Sequence, residues 1–273
     1  MMLDRRLTLS AYMTDLLSSG QVVFTRDEAA HALGVTIPGF LKAAARQQQR
    51  KALFNPRHGF YVVVPPQYLS WGAPPPNWYV DDLMRHEGHP YYVGLLKAAE
   101  LHGASHQAVM EFQVVTDKRL PKFRAGRSIV AFFYRKDMAQ LAGAIIDHKT
   151  DTGKMRVSSP ELTAFDLLRY AHAAGNIDSI ATVLADLGKK IEPGRLVALA
   201  PAFERTVIQR LGYLLDYLKF DALADALHGH LEESHPLPWI ELELDRKGKG
   251  DVSKDERDAR WHVIVRHKPE IDE

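Results

Sequence analysis

Apolar positions near the start of the chain recur at helical spacing. Leu9, Tyr12, Met13, Leu16 and Leu17 follow the i, i+3, i+4, i+7, i+8 pattern of an amphipathic helix, and Gly20 stands where a C-terminal cap is needed. Thr25 is followed three residues later by Glu28, a pairing that satisfies free amides at a helix start, and Ala29, Ala32 and Leu33 give a short second helix its apolar face. Gly34 permits the positive φ of a tight turn, Thr36 offers another cap, and Pro38 is tolerated in the first turn of a third helix running to about Gln49. On that helix Phe40, Leu41, Ala44 and Ala45 are expected to face the other two. Leu53-Phe54, an Asn55–Gly59 turn and Phe60 to Val64 then read as a two-stranded hairpin. Helix, tight turn, helix and hairpin predict a winged helix-turn-helix over residues 1–66, with the third helix in the recognition position and Arg57 and His58 at the wing tip.

Five of the fifteen prolines fall between Pro65 and Pro76, which excludes a regular helix or central strand and predicts a linker over residues 67–79. Trp71 and Trp78 are expected to dock it on a domain surface. Beyond it the pattern mixes periods of helix and strand. Tyr91 to His102 reads as a helix ended by Gly103, Phe112 to Thr116 and Ile129 to Tyr134 as strands, and Val157 as the end of another. Ser158 and Glu161, with Pro160 between them, predict a helix start that Leu162, Phe165, Leu167 and Leu168 continue. Helices are expected at 177–187 and 203–220, and strands at 239–244 and 261–265, with the charged run Asp245 to Arg260 a solvated loop between those strands. The fold class expected is α+β: an N-terminal winged helix-turn-helix domain, then a larger mixed α/β domain over residues 80–273.

Charge sharpens this picture. The formal net charge is +1, yet residues 1–80 hold eight Lys or Arg against four Asp or Glu, and the remainder is net acidic. No carboxylate occurs between Glu28 and Asp81, while Lys42, Arg46, Arg50, Lys51 and Arg57 all lie there. Such a segment approaches a polyanion without repulsion, and its cations neutralise phosphates with release of counterions. Lys42, Arg46 and Arg50 recur every fourth residue as a stripe on the recognition helix. With Thr36, Lys51, Arg57 and His58 they are the candidate DNA contacts. Arg is suited to bidentate contact with guanine, whereas Arg50, Lys51 and Arg57 are placed for phosphates. A protein-binding winged helix with an ordinary solvated face is the competing reading of the same pattern.

The absence of cysteine excludes disulfides, thiolate metal sites and cysteine nucleophiles. No apolar run is long enough for a transmembrane helix, and Asp4, Arg5 and Arg6 precede no long apolar block, so a cytoplasmic protein without membrane association is expected. His86-Glu87-Gly88-His89 lacks the spacing that puts two imidazoles on one helix face, and Gly103 separates His102 from His106. Asp245-Arg246-Lys247 matches the acidic-x-Lys end of a nuclease site only as a short, chance-prone pattern. No nucleophile elbow, phosphate loop or dinucleotide fingerprint is present. Neither enzyme activity nor a cofactor or metal is expected.

Beyond the linker, Tyr91-Tyr92-Val93-Gly94-Leu95-Leu96-Lys97-Ala98-Ala99-Glu100-Leu101-His102-Gly103, Phe112-Gln113-Val114-Val115-Thr116, Gly126-Arg127, Phe132-Phe133 and Ser158-Ser159-Pro160-Glu161 stand in an order that resembles the AbiEi antitoxins of the AbiE abortive-infection toxin–antitoxin systems. The resemblance spans most of residues 1–220. It implies a bifunctional protein that represses its own operon by binding inverted repeats in its promoter, two copies associating in solution or on DNA, and that counteracts a cognate nucleotidyltransferase-like toxin without a stable complex. Under it, Lys118, Arg119, Lys122, Arg124 and Arg127 become candidates for an antitoxin surface in the C-terminal part. The alternative is a winged-helix transcription regulator with a ligand-sensing or protein-interaction C-terminal domain and no antitoxin role.

Overall fold

The computed structural model describes residues 7–104, 109–232, 236–243 and 257–271. The fold is α+β and divides into two compact units, residues 1–91, 110–132 and 147–156 in the first and 92–109, 133–146 and 157–273 in the second. No helix among the described residues is long and apolar enough to cross a membrane.

The first unit opens with α1 (Leu9–Ser18), β1 (Val23–Thr25), α2 (Arg26–Leu33), α3 (Ile37–Gln49), β2 (Leu53–Arg57) and β3 (Phe60–Val63). Local chemistry sets each boundary. Thr25 and Glu28 form the complete capping box at α2, Gly34 ends it in the left-handed region at φ 62°, and the Thr36 hydroxyl accepts from the Gly39 amide at 3.3 Å to start α3. The three helices enclose Leu9, Met13, Phe24, Ala29, Phe40, Ala44, Leu53, Tyr61 and Val63. Phe24 stacks on Tyr61 at 5.6 Å and Phe40 meets the same ring edge-on at 5.2 Å.

The hairpin differs from its expected form. β2 runs through Arg57 with a bulge between Phe54 and Arg57, so the turn is only His58-Gly59, with Gly59 at φ 77°. The Asn55 amide, expected in the turn, instead bridges the Arg57 and Phe60 carbonyls at 2.7 Å each, which offsets the ladder bonds lost at Pro56. β1 adds a third strand that alternation had not signalled, being three residues long. The sheet order is β1-β3-β2.

The proline-rich stretch folds as two short 3₁₀ turns, Pro66–Tyr68 and Pro76–Trp78, within the same unit. Ala73 and Tyr79 are buried, and the Trp78 indole donates to Asp151 at 2.9 Å. It leads into α4 (Val80–Glu87), unsignalled in sequence and capped by Gly88 at φ 74°.

A six-stranded sheet follows, made of β4 (Tyr91–Val93), β5 (Glu111–Thr116), β6 (Phe123–Ala125), β7 (Ser128–Tyr134), β8 (Ile145–Thr150) and β9 (Gly153–Ser158), in the order β6-β7-β5-β4-β9-β8. The expected helix over Tyr91–His102 is therefore corrected. Tyr91-Tyr92-Val93 is a buried strand, Gly94 breaks the run in extended backbone, and only Leu95–Leu101 is helical, as α5. Aromatic and β-branched residues buried on both faces favour a strand over the helical period.

In the second unit α6 (Pro160–Arg169) is buried from Glu161 to Leu168. Its cap is Ser159 rather than Ser158, whose hydroxyl pairs with that of Thr163 at 2.6 Å. Around α6 lie α7 (Ile177–Leu187), at its expected bounds, α8 (Pro193–Leu199) and α9 (Arg205–Tyr217), and α10 (Asp221–Glu232) packs on α8 and α9. A small sheet of β10 (Ile240–Glu241), β11 (Arg257–Asp258) and β12 (Val263–Ile264) replaces the longer strands expected there. Trp261 is fully buried against α9, where its indole donates to Asp216 at 2.9 Å and its carbonyl accepts from Gln209 at 2.9 Å. Of the charged run expected as a loop, residues 245–256 lie outside the described residues, while Arg260 pairs with Asp216 and Asp225.

Candidate nucleic-acid interface

α3 buries only a narrow face, Phe40 and Ala44. At about 100° of rotation per residue the opposite face carries Pro38, Lys42, Arg46 and Gln49, all exposed. Leu41 and Ala45, expected to face the other helices, are exposed too, because the two aromatic rings at the core fill the space behind Phe40 and Ala44. Thr36, Lys42, Arg46, Arg50 and Lys51 all reach solvent, and among the described residues no carboxylate lies within ion-pair distance of these four cations. Lys51 holds the left-handed conformation at φ 58° that turns the chain out of α3, and its stem passes beside Gly72.

The wing corrects one expectation outright. Arg57 does not project from the tip. Its guanidinium is half-buried over the rings of Phe123 and Phe132 at 4.8 and 5.3 Å. Nε lies 3.3 Å from Glu87 and Nη2 donates to the Pro121 carbonyl at 2.5 Å. Burial lowers its pKa, with Glu87 opposing that shift. Only His58 remains exposed at the tip, and its carbonyl accepts from His86 Nε2 at 3.1 Å. The wing is thus clamped to α4 and to the 118–122 stretch of its own unit.

That stretch belongs to the cations expected to form a separate antitoxin surface. Lys118, Arg119, Lys122, Arg124 and Arg127 are all exposed and all lie in the first unit, with the winged helix. Lys118 stands 3.9 Å from Glu87, the carboxylate that also holds Arg57. Lys122 follows Pro121, the wing's carbonyl partner. Arg127, at the β6–β7 turn, lies over the Trp71 ring at 4.5 Å, and Gly126 packs so closely under Trp71 that a Cβ there would meet its carbonyl at 3.1 Å. The Lys51 stem passes Gly72, Trp71 lies under Arg127, and β6 leads from there back to Lys122 and the wing's partner Pro121, a chain of contacts that links these cations as a rim of the first unit. Sequence reasoning missed this because the rim joins residues more than sixty positions apart.

The second unit holds a different polar cluster. Asp166 is fully buried, accepts from Tyr92 at 2.8 Å and faces the Arg135 guanidinium at 3.8 Å. Arg135, itself 2% exposed, donates to the Ala202 carbonyl at 2.7 Å and lies over Phe203 at 4.3 Å. Burial pushes the Asp166 carboxyl up to about 7, with Arg135 and Tyr92 pulling it down. Burial likewise raises Tyr92, so its hydroxyl stays a donor. His89 pairs with Asp117 at 2.8 Å and His102 with the Ser158 carbonyl at 2.8 Å, each imidazole having a protein partner. His106 and Asp245-Arg246-Lys247 lie outside the described residues.

Residues 92–217, from β4 to the end of α9, match the family model of the AbiEi antitoxin C-terminal domain. No curated protein matches the chain. Among solved structures, the crystal structure of the RV2827C protein from Mycobacterium tuberculosis is similar at a TM-score of 0.67 and 16% identity, over 94% of this chain and 90% of that one. At that identity the likeness is one of fold.

Proposed function

We propose that this chain, whose residues 92–217 match the AbiEi antitoxin C-terminal domain, acts as the antitoxin of a toxin–antitoxin system and also binds duplex DNA to repress its own operon. The toxin it counteracts is, on this reading, nucleotidyltransferase-like. The observation that carries the DNA half is the row Lys42, Arg46 and Arg50, on and just past the third helix of a winged helix, exposed and without acidic partners among the described residues. α3 lies in the major groove, Lys42 and Arg46 reach base edges or phosphates, and Thr36, Arg50 and Lys51 position the helix on the backbone. His58 alone serves the wing tip, Arg57 being committed to Glu87 and Pro121. Lys122, Arg124 and Arg127 are assigned to the same DNA face, supported by Lys122 following the wing's partner Pro121 and by Arg127 lying over Trp71, next to Gly72 and the Lys51 stem. Two copies occupy an inverted repeat, one per half-site. Catalysis has no part in this reading.

Fluorescence anisotropy of the full chain on the DNA upstream of its reading frame, against a scrambled duplex and over a salt series, tests it. Each phosphate contact contributes about 0.9 to the slope of log K against log salt, so removing Lys42, Arg46 and Arg50 together flattens that slope by roughly 2 to 3. Equal affinity for both duplexes, or an unchanged slope in the triple-alanine variant, rejects the assignment. Co-expression with the toxin tests the other half, and the variant is expected to neutralise as well as the wild type.

A further inference from the structure

The exposed face of α3 holds more than cations. Leu41 is 45% exposed and Val35, just before the helix, 42%, and Pro38 and Ala45 are exposed on the same side. Pro38, Leu41 and Ala45 follow one another by three and four residues, so they form a single apolar ridge about two turns long. The ridge lies beside Lys42 and Arg46. An exposed leucine contributes nothing to the core that Phe40 and Ala44 already fill, and an apolar ridge flanked by unpaired cations is an unusual use of a solvated helix.

The flanking charge identifies the occupant. A partner that covers Leu41 also meets Lys42 and Arg46, and, with no carboxylate between Glu28 and Asp81 to repel it, a polyanion with an apolar feature within a few ångströms of its charge complements all three. In the major groove of duplex DNA one base-pair group is apolar, the 5-methyl of thymine. We propose that Leu41, with Ala45 one turn later, reads thymine methyls in the operator half-site and is a specificity-determining residue of this protein. The inference rests on the DNA-binding reading above. It divides labour along the helix: the cations supply affinity and its salt dependence, and the ridge supplies discrimination at thymine positions that no hydrogen bond marks.

The test uses the full chain and its upstream DNA with each thymine replaced in turn by deoxyuridine, which removes the methyl and leaves pairing intact. Wild-type binding is expected to weaken roughly fourfold at one or two positions per half-site, the factor for one methyl-sized group withdrawn from apolar contact. Leu41→Ala is expected to lose this discrimination at the position Leu41 reads and to keep it at any position read by Ala45, with an unchanged salt slope. Leu41→Ala removes an exposed side chain, so loss of folding does not confuse the result, and thermal unfolding of the variant verifies this. A wild type that prefers its upstream DNA yet ignores every deoxyuridine substitution overturns the methyl assignment and leaves the DNA reading standing. Full discrimination retained by Leu41→Ala overturns it equally, as does loss of dimer by the variant in sedimentation, which would make the ridge a contact between copies. A wild type with no preference for its upstream DNA rejects both readings.

Discussion

Asp166 stands where a carboxyl is costly to ionise. Fully buried, it has one oxygen bonded to Tyr92 and the other facing Arg135 across 3.8 Å without a hydrogen bond. Its folded pKa of about 7 lies above the ordinary carboxylate value, so the folded chain retains a proton that the unfolded chain releases. The stability this provides is full below about pH 4 and is lost as pH rises through about 7. Urea unfolding of the wild type and of Asp166→Asn across that range should therefore diverge, the wild type losing up to about 1.4 kcal/mol per pH unit relative to the variant. Parallel profiles would show the carboxyl to be ionised throughout. Gly212 is constrained by space rather than charge, since a Cβ there would lie 2.0 Å from the Trp261 ring. Gly212→Ala is expected to destabilise by about 1–3 kcal/mol, as overpacking does, and Trp261→Leu in the same chain should recover part of the loss. Strict additivity of the two changes in denaturant would disprove direct contact.

At the scale of elements, the wing and α3 divide affinity from rigidity. Arg57 looks, by its position in the chain, like a phosphate contact, but its charge is spent on Glu87 and its surface on Phe123 and Phe132. Arg57→Ala should therefore cost about 1–3 kcal/mol of stability by leaving Glu87 partly buried with Lys118, at 3.9 Å, as its remaining cation among the described residues, while the salt slope of DNA binding stays as in the wild type. A flattened slope with undiminished stability would return Arg57 to the DNA face. Arg46→Ala on α3 should do the opposite, flattening the slope by about 1 at unchanged stability. The contrast follows from partners. Both arginines carry the same charge, and only one has a carboxylate within reach.

At the scale of the whole molecule, the division into compact units does not follow chain order. The winged helix, the proline-rich segment and the 118–127 cations share a unit, and the antitoxin-domain match begins at Tyr92, where the second unit begins. If the two activities are separable, the α3 triple variant keeps neutralisation, as proposed above. The distribution of charge across units gives this its physical basis, for the cations assigned above to DNA come from both sides of the proline-rich segment and all lie in the first unit.

The amino-acid order by itself determined what neighbours within one or two turns can satisfy. The Thr25–Glu28 box, the Thr36 cap, the left-handed Gly34 and the bounds of α3 and α7 each close within a few residues, so their partners are written beside them. The cationic stripe was legible for the same reason, helical period being local. Tertiary structure alone decided the rest. Tyr91 to Val93 became a strand because neighbouring strands bury it, and Leu41 became exposed because Phe40 and the Phe24 and Tyr61 rings occupy the core behind it. Arg57 was withdrawn from the tip by Glu87, thirty residues on, and by Pro121, sixty-four residues on. Packing and pairing across such distances carry no periodic signature, because their energies depend on which surfaces meet and not on which residues follow one another.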